Sequence, residues 1–229
     1  MKAVAIEISF FEAFFKVHYT KTSRLTYPIP LPTSVAGIFG SLLGYSRKKA
    51  SREFEDCYFG SILSSDYSES GEFATYILHK KKIKGKMVKG VELIRIACNP
   101  SYILVMAGEE KKIEEYLRMM EKGSEFLPFG GQNDFFPKDW KIIGKMDVET
   151  SQIISNYLPT DFVHEILSST TFEILPVMHK FSSNPNFTFI IKGNVKVKEE
   201  FVKEYVACKL NQKYIALYPL NKFYKVGEW

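Results

Sequence analysis

The segment TYPIPLPTSVAGIFGSLLG, residues 26–44, constrains this chain more than any other stretch of its 229 residues. Pro28, Pro30 and Pro32 stand on alternate positions and hold the backbone extended. They deny a helix until Thr33 or Ser34 can cap one. From there Val35, Ile38, Phe39, Leu42 and Leu43 fall at i, i+3, i+4, i+7 and i+8, one apolar stripe of an amphipathic helix. Gly37, Gly40 and Gly44 line a second stripe. Each interior glycine costs a helix about 1 kcal/mol relative to alanine, so the stripe implies a close neighbour. Two readings follow. The helix packs tightly on its own sheet, or another chain or a nucleic-acid backbone lies against it.

Around this segment the periodicity alternates between strand and helix. Residues 3–10, AVAIEISF, place Val4, Ile6, Ile8 and Phe10 on one face and Ala5, Glu7 and Ser9 on the other, with Phe11 next on that second face, the pattern of a half-buried strand. EFATYILHK and GVELIRIA read as two further strands. KKKIKGKMVKG between them makes a long two-stranded finger with Gly85 near its turn, or else a solvated loop. SYILVMAG is another strand. EEKKIEEYLRMMEKG is a helix with Ile113, Tyr116, Leu117 and Met120 inward, Glu109 and Glu110 at its positive end and Gly123 closing it. The order approaches β-α-β-β-α-β, a ferredoxin-like α+β arrangement. From residue 145 onward the character changes: PTDFVHEILSS suggests a short helix, NFTFIIKGNVKV a hairpin, KEEFVKEYVACKL a helix and YIALYPLNKFYKV closing strands. The expected division is a first domain over 1–144, with its finger at about 79–95, and a smaller α+β or β-rich domain over 145–229.

Charge narrows the function. Residues 79–95, HKKKIKGKMVKGVELIR, carry seven Lys/Arg against the single acid Glu92, and the other 24 cations face 25 acids. A near-neutral chain with one strongly basic element suits a polyanion, nucleic acid first. No apolar run is long enough to span a bilayer, and Glu7 and Glu12 interrupt the N-terminal apolar stretch, so it reads as a strand rather than a signal peptide. Cys57, Cys98 and Cys208 stand far apart with no C-x-x-C pair, which predicts neither disulfides nor a zinc knuckle and points to a reducing cytoplasm. The histidines and carboxylates show no metal-ligand spacing, and no cofactor is implied.

Three blocks, in order, carry a family resemblance: FFKVHYTKTSRLTYPIPLPTSVAGIFGSLLG, GVELIRIACNPSYILVMAG and FLPFGGQNDF. They resemble the CRISPR-associated RAMP proteins, specifically the Cas family-five subunit of type I Cascade complexes, over roughly the first 140 residues. The resemblance implies a cytoplasmic subunit that grips the 5′ handle of the CRISPR RNA. Its partners would be that RNA, a filament of backbone subunits of the Cas family-seven type and the large subunit. Lys16, Lys21 and Arg24 would contact phosphates, and His18, Tyr19 and Tyr27 would lie among them with bases stacked on the tyrosines. The loop residues Gly130, Gly131, Gln132 and Asn133 would complete the site with backbone amides. Lys80, Lys81, Lys82, Lys84, Lys86, Lys89 and Arg95 would form a thumb reaching RNA or a neighbouring subunit. Gly37, Gly40 and Gly44 would pack closely.

One branch of the family cleaves precursor CRISPR RNA without a metal, using tyrosine, lysine and histidine. His79 beside Lys80 with Tyr45, or the pair His18 and Tyr19, are the candidates here, while His164 and His179 lie outside the resembling blocks. None is arranged with a recognisable partner acid or base, so a binder is expected, with the metal-independent endoribonuclease as the alternative. A ferredoxin-like small-molecule enzyme with FGGQN cradling a phosphate is a further alternative, although no lysine and helix cap follow the glycines.

Overall fold

The alternating opening of the chain forms β1 (Lys2–Phe10), followed by β2 (Glu12–Ala13) and β3 (Ser23–Arg24). The structure is a computed structural model that describes residues 1–17, 23–83 and 86–223, with side chains described except at Ser23, 76–83 and 86–89. Next come α1 (Pro32–Leu42), α2 (Arg47–Glu53) and β4 (Tyr58–Leu63). The two longest neighbouring strands, β5 (Ser68–Ile83) and β6 (Lys86–Cys98), precede β7 (Ser101–Gly108), α3 (Glu110–Glu121) and β8 (Pro137–Glu149). The remainder is short: β9 (Ile153–Ile154), β10 (Tyr157–Pro159), β11 (Val163–Ile166), β12 (Thr171–Pro176), β13 (Asn186–Lys192), β14 (Val195–Val197), α4 (Glu199–Glu204), β15 (Val206–Leu210) and β16 (Lys213–Pro219).

This is a strand-rich α+β fold with few helices. Strands β8, β1, β7 and β4 lie side by side in that order, every pair antiparallel. The register sets Ile6 of β1 between Leu104 of β7 and Ile142 of β8. The sheet then closes on itself, because β16 pairs with β4 and β15 joins β16 to β8. Closure changes the fate of β1. Its second face was expected to be half-exposed, yet Ala3 and Ala5 are fully buried beside Ile62, Val105, Cys208 and Ile215 inside the closed sheet. Gly60 of β4 permits the closure, since a Cβ there would lie 2.3 Å from the Ala216 carbonyl oxygen of β16.

The helices cover the other face of β1, β4 and β7, where Val4, Ile6, Phe39, Phe59, Leu104 and Tyr116 are buried together. α1 starts one residue before the expected Thr33 or Ser34 cap. Pro32 takes its first turn with no side-chain cap, which is favourable because a first-turn residue needs no amide donor. The glycine stripe divides into three different roles. Gly37 is exposed with nothing within 4 Å of an added Cβ, so it is not a close-packing residue within the described chain. Gly40 faces α2, its added Cβ only 3.2 Å from the Cβ of Ala50. Gly44 ends the helix in the left-handed region at φ +70°, and a Cβ there would strike Glu125. α3 follows expectation: Ile113, Tyr116 and Met120 are buried, and Gly123 lies just past its end at φ +111°.

The C-terminal part departs from its sequence pattern. Residues 160–166 form a single 3-10 turn and then β11, not a helix, because Val163 and Ile166 pair with β14. The segment expected as a hairpin turns tightly at Gly193, φ +90°, but its two strands join different sheets, β13 with β10 and β12, and β14 with β11 and β9. The helix expected over 198–210 stops at Glu204, because the next residues are taken up as β15 by the closing sheet. The boundary expected at 144/145 falls inside β8, and one apolar cluster runs from Val4 to Phe223.

Candidate nucleic-acid interface

Residues 11–17 form a spine on which the three blocks of the resemblance meet. On one side β2 pairs with the end of β6, Glu12 opposite Cys98 and Ala13 opposite Ala97. On the other side the glycine loop is sewn on: the Phe14 amide donates to the Gly130 carbonyl at 2.7 Å, and the Phe14 and Phe135 rings lie 6.4 Å apart. Beyond Phe15 the chain leaves as a loop and returns. The Val17 amide donates to the Leu25 carbonyl and the Tyr27 amide to the Phe15 carbonyl, while buried Thr26 accepts from the Phe15 amide. Arg24 on β3 then runs beside Ile94 of β6.

The loop glycines serve this assembly. Gly131 sits at φ +94°, and a Cβ there would lie 2.0 Å from the Phe14 carbonyl oxygen. A Cβ at Gly130 would meet Ala13, Glu12 and Phe10, each at 3.1 Å. The Gly130 amide, expected to face an anion, is already given to the Phe135 carbonyl at 2.8 Å. Its role is therefore approach of one backbone to another. Gly131, Gln132 and Asn133 are exposed on the outside of the loop.

The remaining expected contacts divide. Lys16 is exposed, with its backbone bridged to Thr26. Arg24 pairs with Glu92, Nε to Oε2 at 2.5 Å, so the one acid of the basic segment is bound to it. Tyr27 cannot stack on a base: it is 2% exposed, its ring is stacked on Phe189, and its hydroxyl donates to the Pro176 carbonyl. His18, Tyr19 and Lys21 lie outside the described residues, as does Lys84. Lys80, Lys81, Lys82, Lys86 and Lys89 lie on β5 and β6, with side chains outside the description. These strands pair antiparallel from Ser68 opposite Cys98 to Ile83 opposite Lys86, with a register shift between Leu78 and Lys82. At the base Arg95 is exposed, 3.9 Å from Glu69.

Sequence reasoning missed a set of exposed aromatic rings at this place. Phe11 is 62% exposed, with the Lys138 ammonium 5.1 Å from its ring centre. Phe129 and Phe136 flank the glycine loop edge to face at 5.9 Å and are both exposed. The signal was present in Phe11, which falls on the second face of the β1 alternation, just past the strand end. Exposed rings beside lysines offer faces for unpaired bases and charge for phosphates.

Of the catalytic candidates Tyr45 alone has a described side chain, in a packing position; His18 and Tyr19 lie outside the described residues, and His79 lies on β5 with its side chain outside the description. Tyr45 lies against Phe54 and Tyr116, and burial raises its hydroxyl pKa, away from a base. His179 is buried among Phe181 and Phe187, its Nδ1 accepting from the Phe181 amide, and burial lowers its pKa. His164 is exposed on β11. Among the described residues no three metal-ligating side chains are grouped to hold an ion, and no helix is long and apolar enough to cross a membrane.

No family model and no curated protein matches the sequence. The fold, however, is that of CRISPR-associated proteins of known structure. One likeness is to a chain of a CRISPR RNA-guided surveillance complex, 13% identical, over 85% of this chain and 90% of that one, with a TM-score of 0.50. Another is to a CRISPR protein from Archaeoglobus fulgidus, also 13% identical with a TM-score of 0.50, over 95% of this chain and all of the other.

Proposed function

We propose that this protein is a non-catalytic CRISPR RNA-binding subunit that holds the 5′ handle in a type I Cascade antiviral complex. Its neighbours there would be a backbone subunit of the Cas family-seven type and the large subunit. The observation that carries this reading is the meeting of the three resembling blocks on residues 11–17, with exposed Lys16, Phe11 and Lys138 around them. The strand order β8–β1–β7–β4 is that of a ferredoxin-like β-α-β-β-α-β unit, which supports a RAMP assignment. In this reading the β5–β6 hairpin, inserted between β4 and β7, is the thumb.

The test is incubation of the purified protein with a repeat-containing RNA, with and without EDTA, beside His18→Ala and His79→Ala. Salt-sensitive retention of handle-containing RNA without cleavage is expected. Cleavage at one position, insensitive to EDTA and lost in one histidine variant, would replace the binder with the endoribonuclease.

A further inference from the structure

Helix α2 carries a second cationic surface that the charge of the whole chain conceals. Arg47, Lys48, Ser51 and Arg52 are all exposed, and helical geometry puts them within an arc of about 140°. Ala50 turns the other way, onto Gly40 of α1, and the Glu53 carbonyl accepts from Lys112 and Tyr116 of α3. The helix is thus fixed from behind with its cations outward. Lys49 is occupied over the ring of Tyr45 at 4.0 Å. Among the described residues no carboxylate forms an ion pair with Arg47, Lys48 or Arg52.

In the first turn the charge is also the reverse of what stabilises a helix, although Arg52 in the last turn suits the dipole. Three cations occupy the first turn, with no acid among them, while Glu53, Glu55 and Asp56 lie at the other end. Each such placement opposes the helix dipole by about 0.3–1 kcal/mol. Helix stability therefore does not account for Arg47 and Lys48. Phosphates along a nucleic-acid backbone do, since they are spaced closely enough to meet several cations on one face at once.

We infer that the outward face of α2 is a second nucleic-acid contact, in which Arg47, Lys48 and Arg52 bind backbone phosphates without reading bases. The inference rests on the nucleic-acid reading above, but on neither the 5′ handle nor the hairpin. The test measures binding of the full chain to a mixed-sequence DNA duplex and to a single-stranded RNA lacking the repeat, across salt concentrations. In R47Q/K48Q/R52Q the slope of log affinity against log salt should shrink by about 0.9 per lost contact on duplex and about 0.7 on single strands. A loss on one probe alone identifies the occupant as duplex or single strand, and a loss on both identifies the shared backbone. In R47E/K48E the new acids favour the helix N-terminus, so the melting temperature should hold or rise while binding weakens. Unchanged affinity and slope on both probes in folded variants overturns the inference. The hairpin variant K81A/K82A/K84A/K86A separates the two readings. Binding lost there but untouched by α2 changes leaves the proposed function standing without α2, and the opposite pattern leaves α2 standing without the thumb.

Discussion

Glycine does opposite things at two positions separated by most of the N-terminal half. At Gly131 the backbone has φ +94° and the Phe14 carbonyl occupies the place of a side chain, so Gly131→Ala should destabilise by at least about 2 kcal/mol, combining an overpacked contact with a strained backbone. At Gly37 there is open space on an exposed helix interior, so Gly37→Ala should stabilise by up to about 1 kcal/mol. Thermal or denaturant unfolding of the two variants checks both signs, and a loss at Gly37 would show that something absent from the described residues lies against α1. His179 gives a second prediction at this scale. Burial holds its pKa below the ordinary 6.5, so below that pH the unfolded chain binds the extra proton. Its contribution to stability is complete above pH 6.5 and is lost as pH falls through that value toward the lower folded pKa. His179→Asn, which does not titrate in this range, should lack that component when melting is followed between pH 7.5 and 5.5. An identical pH slope in the two proteins would count against it.

Among the elements, the β5–β6 hairpin is where charge and architecture coincide. Replacing Lys81, Lys82, Lys84 and Lys86 by alanine should leave unfolding unchanged, weaken RNA association and flatten its salt dependence, as read by filter retention at several salt concentrations. An unchanged slope would make the segment a wet ribbon. Elements with strong local periodicity were legible from sequence: β1, α1, the two strands of the hairpin, β7 and α3 lie where their patterns put them. The failures share a cause, the capture of residues by distant partners. Val163 and Ile166 are strand residues because β14 lies beside them, and α4 ends at Glu204 because β8 and β16 recruit the following residues. The three resembling blocks do meet in the structure, but the surface their residues present was not legible residue by residue. Tyr27 reads like an exposed recognition residue until Phe189, 162 positions later, covers its ring. The basic α2 escaped notice because an average over the chain cancelled it against the acids that follow.

At the scale of the whole molecule, the closed sheet joins what the sequence divides. Residues 1–144 should not fold alone, because the cut severs β8, uncovers Tyr27 and leaves β4 without β16. Circular dichroism and amide dispersion of that fragment should show no cooperative melting, and a sharp transition would establish an independent N-terminal core. Gly60 marks the contact on which closure depends, where the β16 backbone passes through the space of a missing side chain. That contact also sets a schedule. A ribosome lays down residues 11–17 early, but Tyr27, whose amide donates to the Phe15 carbonyl, is covered only when Phe189 has been made, and β4 gains its second neighbour only with β16, more than 150 residues later. At roughly 5–20 residues per second the nascent chain spends about ten seconds or more with Tyr27 uncovered and its β4 edge open. The interval presents the open β4 edge of one newly made copy to the next on the same message, a pairing that β16 forecloses once it is in place.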